Sequence, residues 1–235
     1  PLVTQGITAA DAWGFTPLDE YLCEKKINSY RQGGIYTPPS FNGALMMPAF
    51  NGGANWGGAA VNPDSKVMVV PTARMPAIII ILSHDQAREL NLRELGKQGK
   101  LVYPSFGAHY MAVTEFLLSP FGAPCTAPPW AGLTAVDLEK GTILWDVPLG
   151  SIEKLAPIPI PLTLGTPLSG GPLATAGGIV FIAVTMDDRI RAFDSSTGEE
   201  LWSYTLPATG VAVPMTYTIN GKQFLVIAAG GHSAM

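Results

Sequence analysis

Two copies of one short pattern, 57 residues apart, constrain the fold of this chain more than any other feature. The windows 135–145 (AVDLEKGTILW) and 192–202 (AFDSSTGEELW) share Ala, Asp, Gly, Leu and Trp at the same places, five of eleven positions. In each copy an apolar, alternating strand ends at Asp, a turn leads to Gly, and a second strand carries Trp four residues after that Gly. The pattern predicts a β-hairpin in which Asp holds the turn and Gly adopts positive φ.

The tryptophan of each hairpin needs a partner outside the hairpin, because two strands alone cannot bury an indole. We therefore expect Trp145 and Trp202 to pack against a neighbouring copy of the unit. The segment 177–194 supplies two further strands ahead of the second turn, so the repeat fits a four-stranded propeller blade with a long insert. The alternative is a pair of similar hairpins in an unrelated β-sandwich.

The composition favours many short strands joined by tight turns. Of the 235 residues 26 are Gly and 21 are Pro, and only 14% are charged, which is typical of an all-β chain. Strand-like runs lie at 66–71, 77–82, 178–184 and 222–230. The segment 148–172 is too rich in Pro and Gly for a helix or a central strand, so we expect a long connection there. We assign residues 1–235 to one structural unit.

Two short helices are predicted in the remaining sequence. Thr16 as N-cap, Pro17 at the first helical position and Asp19 in the first turn indicate a helix that ends before Gly33. The segment 85–99 indicates a second, surface helix. Cys23 and Cys125 are compatible with one disulfide or with two buried thiols, and two cysteines do not decide the redox compartment.

Several classes of function are excluded by the charge and the hydropathy pattern. The net charge is −4 and the basic residues are scattered, so nucleic acid is not an expected partner. The longest aliphatic runs, at 77–82 and 179–184, are far below the ~18 residues of a membrane span. His84 and His109 lie on no metal-ligand spacing, and we predict no metal ligand in this chain. The first residue is Pro1, and we expect a processed or excised chain.

The hairpin spacing A-x-D-x-x-x-G-x-x-x-W resembles the tryptophan-docking motif of quinoprotein dehydrogenases, whose catalytic domain is an eight-bladed β-propeller that holds pyrroloquinoline quinone (PQQ). Further segments, in the family's order, are similar to the C-terminal third of the membrane-bound glucose and quinate dehydrogenases: NWGG at 55–58, CTAPPWAG at 125–132, GTPLSGGP at 165–172 and AAGGH at 228–232. The resemblance implies an all-β, partial β-propeller of about three four-stranded blades, with short helices in inserts.

The resemblance also implies a chemistry. In this family Ca²⁺ polarises a PQQ carbonyl, an aspartate acts as general base on an alcohol, and electrons pass to ubiquinone. The expected substrate is a sugar or a polyol or cyclitol alcohol of the glucose or quinate class. The expected location is the periplasmic face of the bacterial inner membrane, with an anchor upstream of this chain. Because the family's calcium ligands and catalytic aspartate come from earlier blades, we expect this chain alone to be inactive, to contact the remaining blades and to self-associate through open strand edges.

Three residues are carried over from the family as cofactor-binding candidates. Asn55 matches an asparagine whose amide lies near the PQQ carbonyl; the alternative is an ordinary turn residue between Gly53 and Gly57. Trp56 either lines the cofactor site or anchors the blade. His232 matches a histidine close to the quinone, and its alternative is a residue of a closing turn. We expect no catalytic residue in this chain.

Two readings without catalysis compete with this interpretation. One is a propeller-like repeat module that binds proteins, as WD-type repeats do, and needs neither Asn55 nor the glycine-rich segments. The other is an outer-membrane assembly propeller without cofactor. The segments at 55–58 and 125–132 argue against this alternative.

Overall fold

The computed structural model describes residues 1–156 and 159–231, with the side chains of residues 92 and 93 excepted. Its helices are a 3-10 turn (Ala9–Asp11), α1 (Pro17–Asn28), α2 (His84–Glu89) and α3 (Leu92–Lys97). None of the helices in these ranges is long and apolar enough to cross a membrane. The strands, in chain order, are β1 (Ala44–Met46), β2 (Ala60–Asn62), β3 (Val67–Ala73), β4 (Ala77–Ser83), β5 (Leu101–Tyr103), β6 (Tyr110–Phe116), β7 (Ala131–Asp137), β8 (Thr142–Pro148), β9 (Leu173–Ala174), β10 (Ile179–Ile182), β11 (Arg189–Asp194), β12 (Glu200–Thr205), β13 (Met215–Ile219) and β14 (Lys222–Val226).

The strands form three four-stranded antiparallel sheets and one hairpin. The first blade has the order β2-β3-β7-β8, the second blade β9-β10-β11-β12, the cap sheet β1-β4-β6-β5, and β13 pairs with β14. This confirms the all-β architecture of propeller-like sheets. The segment at 55–58 leads into β2, which shares a sheet with the first hairpin instead of starting a blade of its own. The reason is that β3 pairs with β7 along its whole length, from Val67↔Asp137 to Ala73↔Ala131.

All long connections leave the two blades at the same end. In antiparallel sheets successive connections alternate between the two ends. The tight turns at 63–66, 138–141, 175–178 and 195–199 lie at one end, which we call the turn end. The connections at 47–59, 74–130, 149–172, 183–188 and 206–214 lie at the other, the loop end. No helix or strand lies in the described part of 149–172, as the proline and glycine content of this segment predicts.

The predicted docking of the first tryptophan is confirmed. Trp145, on β8, is only 9% exposed and packs in the core shared by the two blades. Its indole Nε1 donates to the Ser195 carbonyl, 3.0 Å away, in the turn of the second blade. A Cβ on Gly198 of that turn would lie 2.7 Å from the ring. The indole therefore lies directly on a backbone surface that only glycine leaves open.

The two hairpin turns are built alike, but among the described residues only the turn with Gly198 receives an indole. Asp137 and Asp194 each accept hydrogen bonds from the backbone N–H groups two and three residues on. Gly141 and Gly198 adopt φ of 65° and 76°. No heavy atom of the described residues lies within 4 Å of the position that a Cβ on Gly141 would occupy. Trp202 is 47% exposed and stacks on Tyr204 of its own strand, so among the described residues it lacks the receptor that Trp145 has.

Residues 1–46 and 76–128 form a cap beside the blades, held by a disulfide between Cys23 and Cys125. Both cysteines are fully buried, in a core with Ile27 of α1, Ile78 of β4 and Leu117. The bridge closes a separation of 102 residues, which restricts the unfolded chain by about 4–5 kcal/mol on the chain-entropy estimate. Of the two alternatives for the cysteines, the structure therefore shows the disulfide.

Both predicted helices exist with shifted bounds. The Thr16 hydroxyl caps α1 by accepting from Asp19 N at 3.2 Å, and the helix ends at Asn28, earlier than the glycines at 33 and 34. The segment 85–99 divides into α2 and α3. The break lies at Leu90, whose backbone is extended, and at Asn91, whose side chain caps α3.

The indole contact predicts a difference between two otherwise equal substitutions. Gly198→Ala and Gly141→Ala each place a Cβ on a residue with positive φ, at about 1–2 kcal/mol. Only Gly198→Ala also forces the Trp145 ring to move, so we expect it to destabilise the chain by about 1–3 kcal/mol more than Gly141→Ala. Urea unfolding of both variants measures the difference. Equal losses would show that the indole does not rest on this turn.

Candidate functional site

Three connecting segments lie side by side at the loop end, each just before the innermost strand of a unit. The first carries Gly57, the second Gly170 and Gly171, and the third Val211. A Cβ on Gly57 would overlap the Gly170 backbone, and one on Gly171 would overlap the Gly57 carbonyl. A Cβ on Gly170 would overlap the Val211 carbonyl. The three backbones therefore touch, and side-chain-free positions are what permit this approach.

Asn55 lies on the first of these segments and its side chain is engaged within the segment. Its Nδ2 donates to the Asn51 carbonyl at 2.6 Å, and its Oδ1 accepts from Trp56 N at 2.7 Å. The Asn51 Oδ1 atom is buried without a hydrogen-bond partner among the described residues. Such an atom costs free energy unless a further donor reaches it. The turn therefore presents one amide that is locally held and one buried oxygen that lacks a donor.

Trp56 is 67% exposed, so its ring does not anchor the blade and remains available at the surface of the segment. His232 lies outside the described residues, and its role stays a prediction. The residue before it, Gly231, donates its N–H to the Thr209 carbonyl of the third segment at 3.0 Å. His84 is half-buried and its Nε2 lies 2.8 Å from the Ala108 carbonyl, a contact consistent with a structural role.

A buried carboxylate attaches the second connection to the second blade. Asp187, 3% exposed, accepts hydrogen bonds from Ser151 N at 2.8 Å and from the Thr185 hydroxyl at 2.7 Å. Both nitrogens of the Arg191 fork also donate to it, and Arg191 Nε donates to Glu200 at 3.1 Å. Every oxygen of the buried carboxylate is thus paired, which is the condition under which a buried charge is tolerated.

The next residue attaches two more segments. Asp188, with φ of 58°, accepts from Lys154 Nζ at 2.5 Å and from the Thr209 hydroxyl at 2.5 Å. Asp187 and Asp188 together therefore join the connections at 149–172 and 206–214 to the loop at 183–188. The glycine segments of the candidate site are parts of these same connections, so the two carboxylates position them.

The pKa values of both carboxyl groups reflect these contacts. Burial would raise the pKa of Asp187, but the hydrogen bonds and charge of Arg191, with those of Ser151 and Thr185, hold it below its usual value. The hydrogen bonds from Lys154 and Thr209 lower the pKa of Asp188. Both groups are therefore charged at neutral pH and act as fixed anions. This is the state of structural carboxylates rather than of a general base tuned near pH 7.

These two aspartates and Asn51 are not among the candidate residues that the sequence indicates. The signal for the carboxylates is the run MDDR at 186–189 followed by Arg191, in which acidic and basic residues occur within an otherwise apolar stretch. The glycines at 170 and 171 were part of a family-like segment but were not predicted to contact Gly57. No group of three or more potential metal ligands occurs among the residues that the structure describes.

Sheets joined by an indole on the next unit's turn, with long connections gathered at one end, define a β-propeller-type repeat protein. The family described as "PQQ: Glucose/ethanol/alcohol dehydrogenase, beta-propeller domain" matches residues 1–225. This chain belongs to that family.

Its relatives include sugar and cyclitol dehydrogenases. The chain is 36% identical to the quinoprotein glucose dehydrogenase of Escherichia coli (strain K12), over 98% of this chain and 30% of the relative. It is 39% identical to quinoprotein glucose dehydrogenase A of Acinetobacter calcoaceticus, over 97% of this chain and 29% of the relative. It is 37% identical to the quinate/shikimate dehydrogenase (quinone) of Acinetobacter baylyi (strain ATCC 33305 / BD413 / ADP1), over 97% of this chain and 29% of the relative. The chain thus spans about 30% of the length of these relatives.

Two solved structures share the fold. The quinohemoprotein alcohol dehydrogenase from Comamonas testosteroni gives a TM-score of 0.54 at 22% identity, over 85% of this chain and 26% of that chain. A europium-containing methanol dehydrogenase gives a TM-score of 0.53 at 22% identity, over 80% of this chain and 26% of that chain. At this identity the likeness establishes the propeller fold and nothing finer.

The carboxylate contacts predict how the stability of the chain depends on pH. Asp187→Asn leaves the buried Arg191 without its main counter-ion, so we expect a loss of about 3–5 kcal/mol at pH 7. Because the folded-state pKa of Asp187 lies below its unfolded value of about 4, its contribution is present above that pH and is lost as the pH falls through the folded pKa. The difference between wild type and variant, measured by urea unfolding, should therefore narrow on acidification.

The matched control for this experiment is Glu139→Gln, which removes the exposed ion pair with Lys66. It should change stability by less than about 1 kcal/mol. A difference between wild type and Asp187→Asn that stays constant as the pH falls through about 4 and below would contradict the assignment, since the pKa of Asp187 would then be the same in the folded and unfolded protein.

Proposed function

We propose that this chain is the C-terminal part of the PQQ-binding propeller of a dehydrogenase that oxidises a sugar or a polyol or cyclitol alcohol of the glucose or quinate class. The observation that carries the proposal is the extent of the similarity. The glucose and quinate dehydrogenases align with 97–98% of the chain. The aligned region includes both blades, the cap and the loop-end segments, so every element that positions the candidate site lies within the region of similarity.

The loop-end segments fit one wall of a PQQ site. PQQ is flat and carries carboxylate and carbonyl oxygens, and it supplies two-electron redox chemistry when bound. The touching glycine backbones leave a surface without side chains, and Trp56 offers an exposed ring beside it. Asn55 supplies an amide, and a neutral amide donates to an oxygen on which charge accumulates. We assign cofactor contact to Asn55 and Trp56, and to His232 on the family resemblance alone.

The remaining parts of the site are proposed to come from outside this chain. Ca²⁺ needs six to eight oxygen ligands, and the described residues provide no group of three potential ligands. The same holds for the general base, since the buried carboxylate of Asp187 and the half-buried carboxylate of Asp188 are both committed to structural contacts. We therefore propose that other blades of a longer protein supply the metal ligands and the catalytic aspartate, and that this chain alone does not turn over substrate.

The electron acceptor and the location follow from the same relationship. We propose ubiquinone as acceptor and the periplasmic face of the bacterial inner membrane as location, with an anchor outside this chain. Support comes from two relatives, the quinoprotein glucose dehydrogenase and the quinate/shikimate dehydrogenase (quinone). Their names contain the word quinoprotein or quinone and name a sugar or cyclitol substrate. The disulfide between Cys23 and Cys125 agrees with an oxidising compartment.

The first test uses the longer parent protein with PQQ and Ca²⁺ added. We expect dye reduction with glucose or with quinate, and none from the present chain under the same conditions. Asn55→Ala in the parent should lower kcat/KM by about 100-fold, because it removes an amide donor at the oxygen that accumulates charge. Absorbance of the bound quinone provides a second measurement that does not depend on turnover.

Asn62→Ala is the matched control. Its Oδ1 accepts from Asp64 N and Ser65 N in a turn at the opposite end of the same blade, so we expect unchanged kcat/KM. Failure of the parent to bind PQQ would refute the dehydrogenase assignment and favour a protein-binding repeat module. If Asn55→Ala and Asn62→Ala had the same kcat/KM, the proposed role of Asn55 would be refuted, but the dehydrogenase assignment would not.

The second test concerns the open face beyond the second blade. Trp202, Tyr204, Tyr217 and Ile219 are all at least 40% exposed on β12 and β13, and such a surface favours contact with further blades or with another copy. We expect sedimentation velocity of the isolated chain to show species larger than one chain. Trp202→Lys with Tyr204→Lys should reduce them, whereas Tyr36→Lys, at a 92% exposed cap position, should not. A monomer at all concentrations would refute this expectation.

A further inference from the structure

Asn-Gly steps occur in the chain at 42–43, 51–52 and 220–221. In such a step the backbone nitrogen of glycine attacks the side-chain carbonyl of asparagine, because glycine has no side chain to hinder the approach. The nitrogen loses its proton, ammonia leaves and a cyclic imide forms. Water then opens the imide to aspartate or isoaspartate. The reaction needs no enzyme and no cofactor, so the fold decides which of these steps undergoes it.

Hydrogen bonds restrain the step at 51–52. The Gly52 N–H donates to the Ala49 carbonyl at 2.8 Å, and the Asn51 carbonyl accepts from Asn55 Nδ2 at 2.6 Å. Asn51 and Gly52 are both half-buried. A nitrogen whose proton is held by a carbonyl loses that proton to solvent only after the hydrogen bond breaks. The attacking group of this step is therefore held away from reaction.

The step at 42–43 is restrained in the same way. The Gly43 N–H donates to the Ser40 carbonyl at 3.1 Å, and the Gly43 carbonyl accepts from Arg31 N at 3.1 Å. Gly43 is buried, and a Cβ on it would lie 2.6 Å from the Tyr30 ring. The glycine also directly precedes β1 of the four-stranded cap sheet. Reaction here requires part of the cap to open.

The step at 220–221 is unrestrained by comparison. Asn220 and Gly221 are the two loop residues of the β13–β14 hairpin, whose ladder ends at Ile219↔Lys222. Their φ values of 51° and 76° belong to the tight turn that favours Asn-Gly. Both residues are exposed, and the Gly221 N–H donates no backbone hydrogen bond among the described residues. No heavy atom of these residues lies within 4 Å of the position that a Cβ on Gly221 would occupy.

The turn has to open before the imide can close, because Asn220 must rotate out of its left-handed conformation. The hairpin is a sheet of two strands, whereas the other sheets have four. Two strands alone are only marginally stable, so such a unit opens at a low free energy. Exposure, the free N–H and easy opening therefore coincide at this one Asn-Gly step.

We propose that the Asn220–Gly221 turn is a modification site, at which Asn220 converts to aspartate and isoaspartate while Asn42 and Asn51 are protected by the fold. Both products place a carboxylate close to Lys222. Isoaspartate also adds a carbon atom to the main chain of a loop that holds only two residues, so the pairing of Ile219 with Lys222 is lost. The hairpin turn lies at the opposite end of β13 from the connection 206–214, so the site is independent of the proposed redox function.

The experiment incubates the present chain, without PQQ, in warm and mildly alkaline buffer. Peptide mass spectrometry follows the conversion of Asn42, Asn51 and Asn220, with electron-based fragmentation to separate isoaspartate from aspartate. We expect Asn220 to convert about tenfold or more faster than the other two, since each of those needs at least one hydrogen bond broken first. In concentrated urea the rates should approach one another, because the same dipeptide then reacts without the fold.

Two variants complete the test. Asn220→Gly removes the amide and keeps a residue that suits the tight turn, so conversion at this step should vanish while Asn42 and Asn51 react as before. Asn220→Asp is the matched control for the effect on the hairpin, because it adds the charge without lengthening the loop. We expect amide hydrogen exchange in β13 and β14 to be faster in the isoaspartate form than in Asn220→Asp.

The proposed site is overturned if Asn220 keeps its amide in the folded chain, or if Asn42 or Asn51 converts equally fast there. It is also overturned if the order of the rates is unchanged in urea, since the fold would then not be its cause. Equal hydrogen exchange in the isoaspartate form and in Asn220→Asp would overturn the proposed loss of strand pairing.

Discussion

The contact of the Trp145 indole with the Gly198 turn is the interaction on which the arrangement of the two blades depends. A four-stranded sheet has two faces, and a large aromatic on one face must be covered by another element. Here the covering surface is the turn of the next unit, whose glycine lacks the atom that would exclude the ring. The second blade therefore completes the core of the first, and the two sheets share the cluster of buried residues around the Trp145 ring.

The packing of the two blades against each other accompanies the contact of the loop-end segments that form the candidate site. Gly57 meets Gly170 and Gly171 because the innermost strands of adjacent blades are held side by side. Asp187 and Asp188 then attach the intervening connections with charged hydrogen bonds. The result is a surface of backbone and small residues on a rigid base, the usual setting for binding residues carried on loops.

The cap shows where reasoning from the sequence stopped. The run at 77–82 predicts a strand. The sequence does not indicate that this strand pairs with β1 and β6 in a sheet separate from the blades. The pairing joins a segment before the first blade to an insert within it, and the disulfide joins the same two parts. Strand propensity indicates that a strand forms, whereas its partner depends on which edges the rest of the fold brings together.

The sequence by itself determined the elements whose cause is local: the two hairpins with Asp at the turn and Gly at positive φ, the capped helix after Thr16, and the connection at 149–172, whose described residues contain no strand. These depend on backbone conformation and on hydrogen bonds between near neighbours, which residue types dictate directly. Only the tertiary structure decided that Trp145 is buried while Trp202 is exposed, that Cys23 bonds Cys125, and that Gly57 touches Gly170. Each of these depends on contacts between residues far apart in the chain, and such contacts are settled by how whole sheets pack rather than by any one residue's preference.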